Sequence, residues 1–148
     1  MTPYISKRIC YAGLILTILS VFIVLSQKNG QAMTGDSISY YYGSCKLSTG
    51  HGFLDCNGYP NSTWPPAYPA ALAILMKTGL STSHSGILLN LLCFAGLFFL
   101  ISLWSYQYLA SFKYSLIVLT IIGVSFQIFR IYVSAYSEVL FLPFMLFA

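Results

Sequence analysis

Three carboxylates are all that this chain offers for acid–base work: Asp36, Asp55 and Glu138. A general base must stand within hydrogen-bond reach of its nucleophile, and carboxylates and imidazoles are the usual choices. The two histidines, His51 and His84, complete that short inventory. Glu138 falls inside an apolar run, residues 131–148. An acid within a membrane-crossing helix is costly and marks function by default; the structural alternative is a pair with Arg130, two turns earlier. Asp36 sits in Gly35-Asp36-Ser37, which also reads as a helix start with the aspartate as cap or turn residue. Asp55 lies in mid-loop.

Other side chains narrow the chemistry further. Cys45 and Cys56 flank His51, but a zinc site needs a fourth ligand at suitable spacing and none is present. In an oxidising compartment the two thiols could form a bridge, a possibility the sequence leaves open. Cys10 and Cys93 lie in or beside apolar stretches and read as inert. Asn61-Ser62-Thr63 is a formal glycosylation sequon, meaningful only on a secretory route. No dinucleotide fingerprint, phosphate loop, zinc-protease or hydrolase-elbow motif occurs. Tyr40, Tyr41, Tyr42, Tyr59, Trp64 and Tyr68 crowd one polar stretch. They are able to stack on sugar rings, and they equally suit a membrane–water interface.

The elements that must position these residues follow from composition. Charged residues are 7% of the 148 and hydrophobic residues 57%, whereas a soluble domain carries about a quarter charged. That excludes an ordinary soluble enzyme, a disordered tail and a coiled coil. The net charge of +4 comes from scattered basic residues, not a stripe, so nucleic acid is not an expected partner. Four stretches are apolar and nearly free of charge: residues 9–25, 86–109, 114–129 and 131–148. Against a hydrocarbon core of about 30 Å, they predict an all-α, polytopic membrane protein with about four transmembrane helices. The first stretch also has the basic flank of a signal peptide, in Lys7 and Arg8, but its length favours a retained anchor.

Residues 26–85 form the polar first loop, punctuated by Gly and Pro. Within it, Ala67 to Met76 is too short to span and reads as an interfacial or re-entrant helix opened by Pro65-Pro66. Lys7 and Arg8 against Lys28 put the N-terminus in the cytoplasm and the loop outside. Asp36 and Glu138 then fall on the same outer face of a plasma (inner) membrane.

Taken in order, the loop segments are more specific than any one of them. Asp36-Ser37-Ile38-Ser39-Tyr40 opens the series, Gly50-His51-Gly52-Phe53 follows, and Trp64-Pro65-Pro66-Ala67-Tyr68-Pro69 leads into the apolar run. This series resembles the first extracytoplasmic loop of the GT-C membrane glycosyltransferases, especially the branch related to protein O-mannosyltransferases and aminoarabinose transferases. Ser137-Glu138-Val139-Leu140-Phe141 resembles that group's Ser-Glu-Pro-Leu-Phe type segment, with Val139 in place of the proline.

The resemblance implies transfer of a sugar from a polyprenyl-phosphate-linked donor to a lipid, glycan or protein acceptor on the extracytoplasmic face. Asp36 would be the general base or a carboxylate for a divalent metal, and Glu138 a second acid in the same cavity. Tyr40, His51, Trp64 and Tyr68 would contact substrate. Lys28, Lys46 or Arg130 would hold the donor phosphate through charge-assisted hydrogen bonds. Chains of that superfamily continue with further helices, so residues 1–148 are expected to be an N-terminal part or a truncated chain. Two other classes compete. One is a small non-enzymatic membrane subunit or inactive fragment, packing through small residues such as Ala95 and Gly96. The other is a transporter with Glu138 as relay, which would more often show broken midplane helices or paired repeats.

Overall fold

Local chemistry sets each helix start in the polar loop. A computed structural model of the chain describes residues 30–109 and 111–147, together with Ser20, Ile23, Val24 and Gln27. Helix α1 spans Gly35–Ser48. Its N-cap is Thr34, whose Oγ1 accepts from the Ser37 backbone N–H at 3.2 Å, satisfying one of the donors every helix N-terminus leaves open. Beyond α1 the chain turns back in a small loop, with Asp55 Oδ1 accepting from the Asn57 and Tyr59 N–H groups at 2.9 Å each. Gly43 lets this loop lie on α1, because a Cβ there would collide with the Phe53 ring.

Helix α2 is Ala67–Met76, the short apolar helix expected behind the Pro65-Pro66 pair. Helix α3, Thr82–Leu109, has 28 residues. At 1.5 Å per residue it is about 42 Å long, and its most apolar window has a mean hydropathy of 2.4. It is the one helix among the described residues long and apolar enough to cross a membrane. Helices α4, Phe112–Gly123, and α5, Phe126–Val133, follow and meet at a bend of 58°. Helix α6 is Glu138–Phe147. No β-strand is present among the described residues, only isolated bridges pairing Ala32 with Ser134 and Leu54 with Pro60. The all-α expectation therefore stands.

The expected spans need correction. The stretch 86–109 is realised inside α3, but 114–129 and 131–148 are not two uninterrupted helices joined at Arg130. They are three shorter helices broken at residues 124–125 and 134–137. The second break is held by distant side chains that meet its exposed carbonyls. Asn90 Nδ2 donates to the carbonyls of Tyr132 and Ser134 at 2.9 Å each. Gln27 Nε2 donates to Tyr132 O at 3.1 Å, and Ser37 Oγ to Ala135 O at 3.1 Å. The Ala32 N–H reaches Val133 O at 3.3 Å. Buried backbone groups must be paired, and here the partners come from elsewhere in the chain, out of reach of any local hydropathy reading. The stretch 9–25 lies almost wholly outside the described residues, as does Lys28.

The core gathers where α2, α3, α5 and α6 meet. Tyr40, Tyr68, Leu72, Phe94, Phe98, Tyr132 and Val139 are buried there. The Phe94 ring lies 5.0 Å from that of Tyr132 in an edge-on arrangement, a geometry aromatic quadrupoles favour. Pro143 interrupts the ladder of α6, because it has no N–H to give the Val139 carbonyl. The Tyr132 hydroxyl supplies the missing donor to that carbonyl, at 3.4 Å.

Candidate functional site

The break at 134–137 determines where the acids go. Because the chain is extended there, Glu138 is not part-way down a spanning helix. It begins α6, solvent-exposed in the first turn, where the positive end of the helix dipole favours a carboxylate. Its Oε2 accepts from Ser137 Oγ at 3.2 Å. Asp36 occupies the first turn of α1. The capping position that the sequence also offered it is taken by Thr34. The Asp36 carboxylate is left half-exposed, with no hydrogen-bond partner among the described residues. The two helix starts are tied together by the Ser37–Ala135 hydrogen bond, one residue from Asp36 and three from Glu138.

Tyr40 stands between the two acids. It lies one turn beyond Asp36 on α1 and is 2% exposed, and its hydroxyl hydrogen-bonds to the Ser137 side chain. Burial pushes that hydroxyl above the ordinary tyrosine value. The Ser137 hydrogen bond opposes the shift, and the negative charges of Glu138 and Asp36 add to it. Both carboxylates therefore bear on one phenol. Its ring is flanked edge-on by Trp64 at 5.8 Å and Tyr68 at 5.6 Å between centroids.

A cleft of about 450 Å³ opens beside this group. Pro65, Ala67 and Tyr68 form one side, and Ser137, Glu138 and Phe141 contribute to the other. Its size is that of an ordinary small-ligand site. Glu138 lines it, whereas Asp36 does not and reaches the group from the α1 side through Tyr40. One apolar wall and one carboxylate suit an uncharged ring that presents hydroxyls.

The other sequence candidates divide. Trp64 is half-buried against Tyr40, its N–H held with that of Thr63 by Asn61 Oδ1 in a side-chain turn. Tyr68 lines the cleft but is fully buried, and its hydroxyl is committed to Asn90 Oδ1 at 3.0 Å. It serves as a wall and not as a free hydrogen-bonding group. His51 is not brought to the site. It is exposed just beyond α1, its N–H closing on Lys46 O and its Nδ1 paired with Thr49 Oγ1 at 2.9 Å. Arg130 is likewise separate: it lies exposed in the last turn of α5 and does not line the cleft. The structure records no pair between Arg130 and Glu138, whose recorded partner is Ser137. The Cys45–Cys56 bridge is not formed, and both thiols are free. Cys45 points from α1 toward Thr82 at 3.5 Å, while Cys56 is exposed in the turn after Asp55.

Two contributors carried little signal in the sequence. Asn90 is an amide set among the apolar residues of α3, and that oddity was the only pointer to it. Ser137 showed nothing beyond its place before Glu138. Among the described residues no three His, Cys, Asp or Glu side chains converge as a metal site. Compared with protein-family models, curated proteins and solved structures, the chain has no match in any of the three.

Proposed function

We propose that the chain is a GT-C type membrane glycosyltransferase, embedded in the plasma membrane with its N-terminus cytoplasmic and its polar loop outside. The observation that carries this reading is the meeting of the α1 and α6 starts, Asp36-Ser37 and Ser137-Glu138, around Tyr40 beside an aromatic-walled cleft. The two acidic motifs behind the family resemblance are distant in sequence, and a shared role requires them to be neighbours.

In this reading Asp36 takes the proton from an acceptor hydroxyl. The acceptor oxygen then bonds to the anomeric carbon of the polyprenyl-phosphate-linked sugar. The bond from that carbon to the phosphate oxygen breaks, and the phosphate leaves with the bonding pair. Tyr68 walls the sugar, with Trp64 behind it against Tyr40, and Glu138 holds one of its hydroxyls. Arg130 is not assigned to the phosphate. In this reading helix α3 crosses the bilayer, the α4–α5 pair forms a bent second span, and α6 enters it again. The exposed apolar residues Leu92, Phe99, Leu103, Ile117, Ile121, Phe141 and Phe144 fit lipid as their solvent.

The test is transfer of radiolabelled sugar from a polyprenyl-phosphate donor in membranes carrying the protein, with Asp36→Asn beside the unaltered protein. Loss of transfer with the folded protein retained supports the assignment; undiminished transfer removes Asp36 from the reaction. A second reading, a non-catalytic membrane subunit, is favoured by one observation. A Cβ built on Gly96 meets nothing within 4 Å, which leaves that point of α3 open to another helix. Co-purification of a partner that is lost in Gly96→Leu, without any sugar transfer, would favour that reading.

A further inference from the structure

The C-terminal end of α3 carries aromatic rings that the fold leaves uncovered. Trp104, Tyr108 and Tyr114 are exposed where α3 runs into α4. Trp104 and Tyr108 are one turn apart, with ring centroids 6.1 Å from each other in an edge-on arrangement. Each of the three rings joins a broad apolar body to one polar tip, an indole N–H or a phenol hydroxyl. Lys113 is exposed between Tyr108 and Tyr114 in the chain. The sequence has no acid between Asp55 and Glu138, so neither α3 nor α4 offers Lys113 a carboxylate. Its apolar stem lets the ammonium reach past the rings.

Distance along α3 decides what solvent these side chains meet. At the other end of the helix the polar residues 81–85 precede Gly86, and the stretch from Gly86 to Leu103 holds no charge. From Gly86 to Trp104 the helix rises about 27 Å, close to the roughly 30 Å of a hydrocarbon core. Leu88, Leu92, Phe99 and Leu103 are exposed along that length, so the open apolar surface of α3 gives way to rings one core thickness from its polar start. The two ends of this stretch fit the two membrane–water boundaries, where Trp and Tyr concentrate. We propose that the α3–α4 turn is a membrane-anchoring surface whose partner is the phospholipid headgroup layer, with Trp104, Tyr108 and Tyr114 seated at the boundary and Lys113 on its aqueous side. Such an anchor rests on the membrane-spanning part of the reading above and on none of its chemistry. The same register brings the cleft near the opposite boundary: Asn90, which holds the cleft-lining Tyr68, is about 6 Å from Gly86 along α3.

Trp104 reports its own depth. The sequence has two tryptophans, so Trp64→Phe leaves Trp104 as the sole indole of the full chain. Its emission is followed in phosphatidylcholine nanodiscs whose lipids carry a nitroxide quencher either near the start of the acyl chain or near its end. The loss of emission should be greater with the label near the chain start, which lies beside the headgroups. A second protein combines Trp64→Phe and Trp104→Phe with Phe99→Trp. Its indole stands about 7.5 Å closer to the bilayer centre, at a position already exposed, and the order of the two labels should reverse. The proposal is overturned if the chain-end label quenches Trp104 more, or if both proteins give the same order. It is equally overturned if neither label quenches Trp104. Quenching of the Phe99→Trp protein then tells displacement of the turn from a failure of membrane embedding, and sugar transfer plays no part in either readout.

Discussion

Asp36 gains its candidacy from a residue that is not acidic. Thr34 takes the cap of α1, which frees the neighbouring carboxylate from the structural work that Asp and Asn usually do there. Asp36→Asn keeps the shape and leaves Thr34 in place, so we expect the melting temperature to change little while sugar transfer falls by about 10²–10⁴-fold, the usual worth of a general base. Thr34→Ala should do the reverse, costing about 1 kcal/mol of stability with the chemistry largely intact; thermal unfolding and transfer rates on the same preparations separate the two. Tyr41 gives a prediction for alkaline pH. Its folded value of about 12 lies above the ordinary 10.0. Its contribution to stability is therefore complete below pH 10 and declines as pH rises toward 12. Denaturant midpoints should fall across that window, and by less in Tyr41→Phe.

At the scale of elements, the break at 134–137 decides the site, and it depends on Asn90. Its amide serves three partners, Tyr132 O, Ser134 O and the Tyr68 hydroxyl. Asn90→Leu leaves Ser134 O and the Tyr68 hydroxyl buried and unpaired and Tyr132 O with Gln27 alone, and we expect a loss of about 3 kcal/mol, measured as a lower denaturant midpoint in detergent. A double-mutant cycle checks the α6 repair. Pro143→Ala restores an N–H for Val139 O, so Tyr132→Phe should cost less in that background than in the unaltered protein. Equal costs would mean that the Tyr132 hydroxyl does not substitute for the missing donor.

These elements also mark what the sequence could reveal. Helix α2 was legible to the residue, because Pro65-Pro66 and a ten-residue apolar run are local signals. The approach of the α1 and α6 starts agrees with the motif series and the loop assignment, but only Glu138 lines the cleft that both acids were expected to share. The breaks after Gly123 and Val133 were not, because hydropathy continues through them and the groups that hold the second come from Gln27, Ser37 and Asn90. The same blindness misplaced Glu138, which begins a helix instead of lying inside one, and Arg130, which lies within α5. Tyr68 looked like an interfacial ring, yet its burial depends on an amide 22 positions away.

For the whole molecule, one long apolar helix and a bent pair set the scale of any membrane embedding. In the best window of α3 only 33% of the residues are buried within the chain, so most of its apolar surface is open to lipid or to another helix. We expect the protein to stay in the membrane fraction after alkaline carbonate washing. Leu97→Arg, at a buried position in the middle of α3, should abolish stable insertion, since a charge near the bilayer centre costs roughly 2.5–3.5 kcal/mol even by the gentlest scale. Release of the unaltered protein by carbonate would contradict membrane spanning.

The proposed function rests on Asp36 acting as a base toward an acceptor hydroxyl, and sugar transfer measured on membranes carrying the protein addresses it most directly. With a labelled polyprenyl-phosphate sugar, the account predicts label moving into an acceptor fraction, and that movement lost in Asp36→Asn while the protein remains folded and membrane-bound. Transfer by Asp36→Asn at the unaltered rate would contradict it.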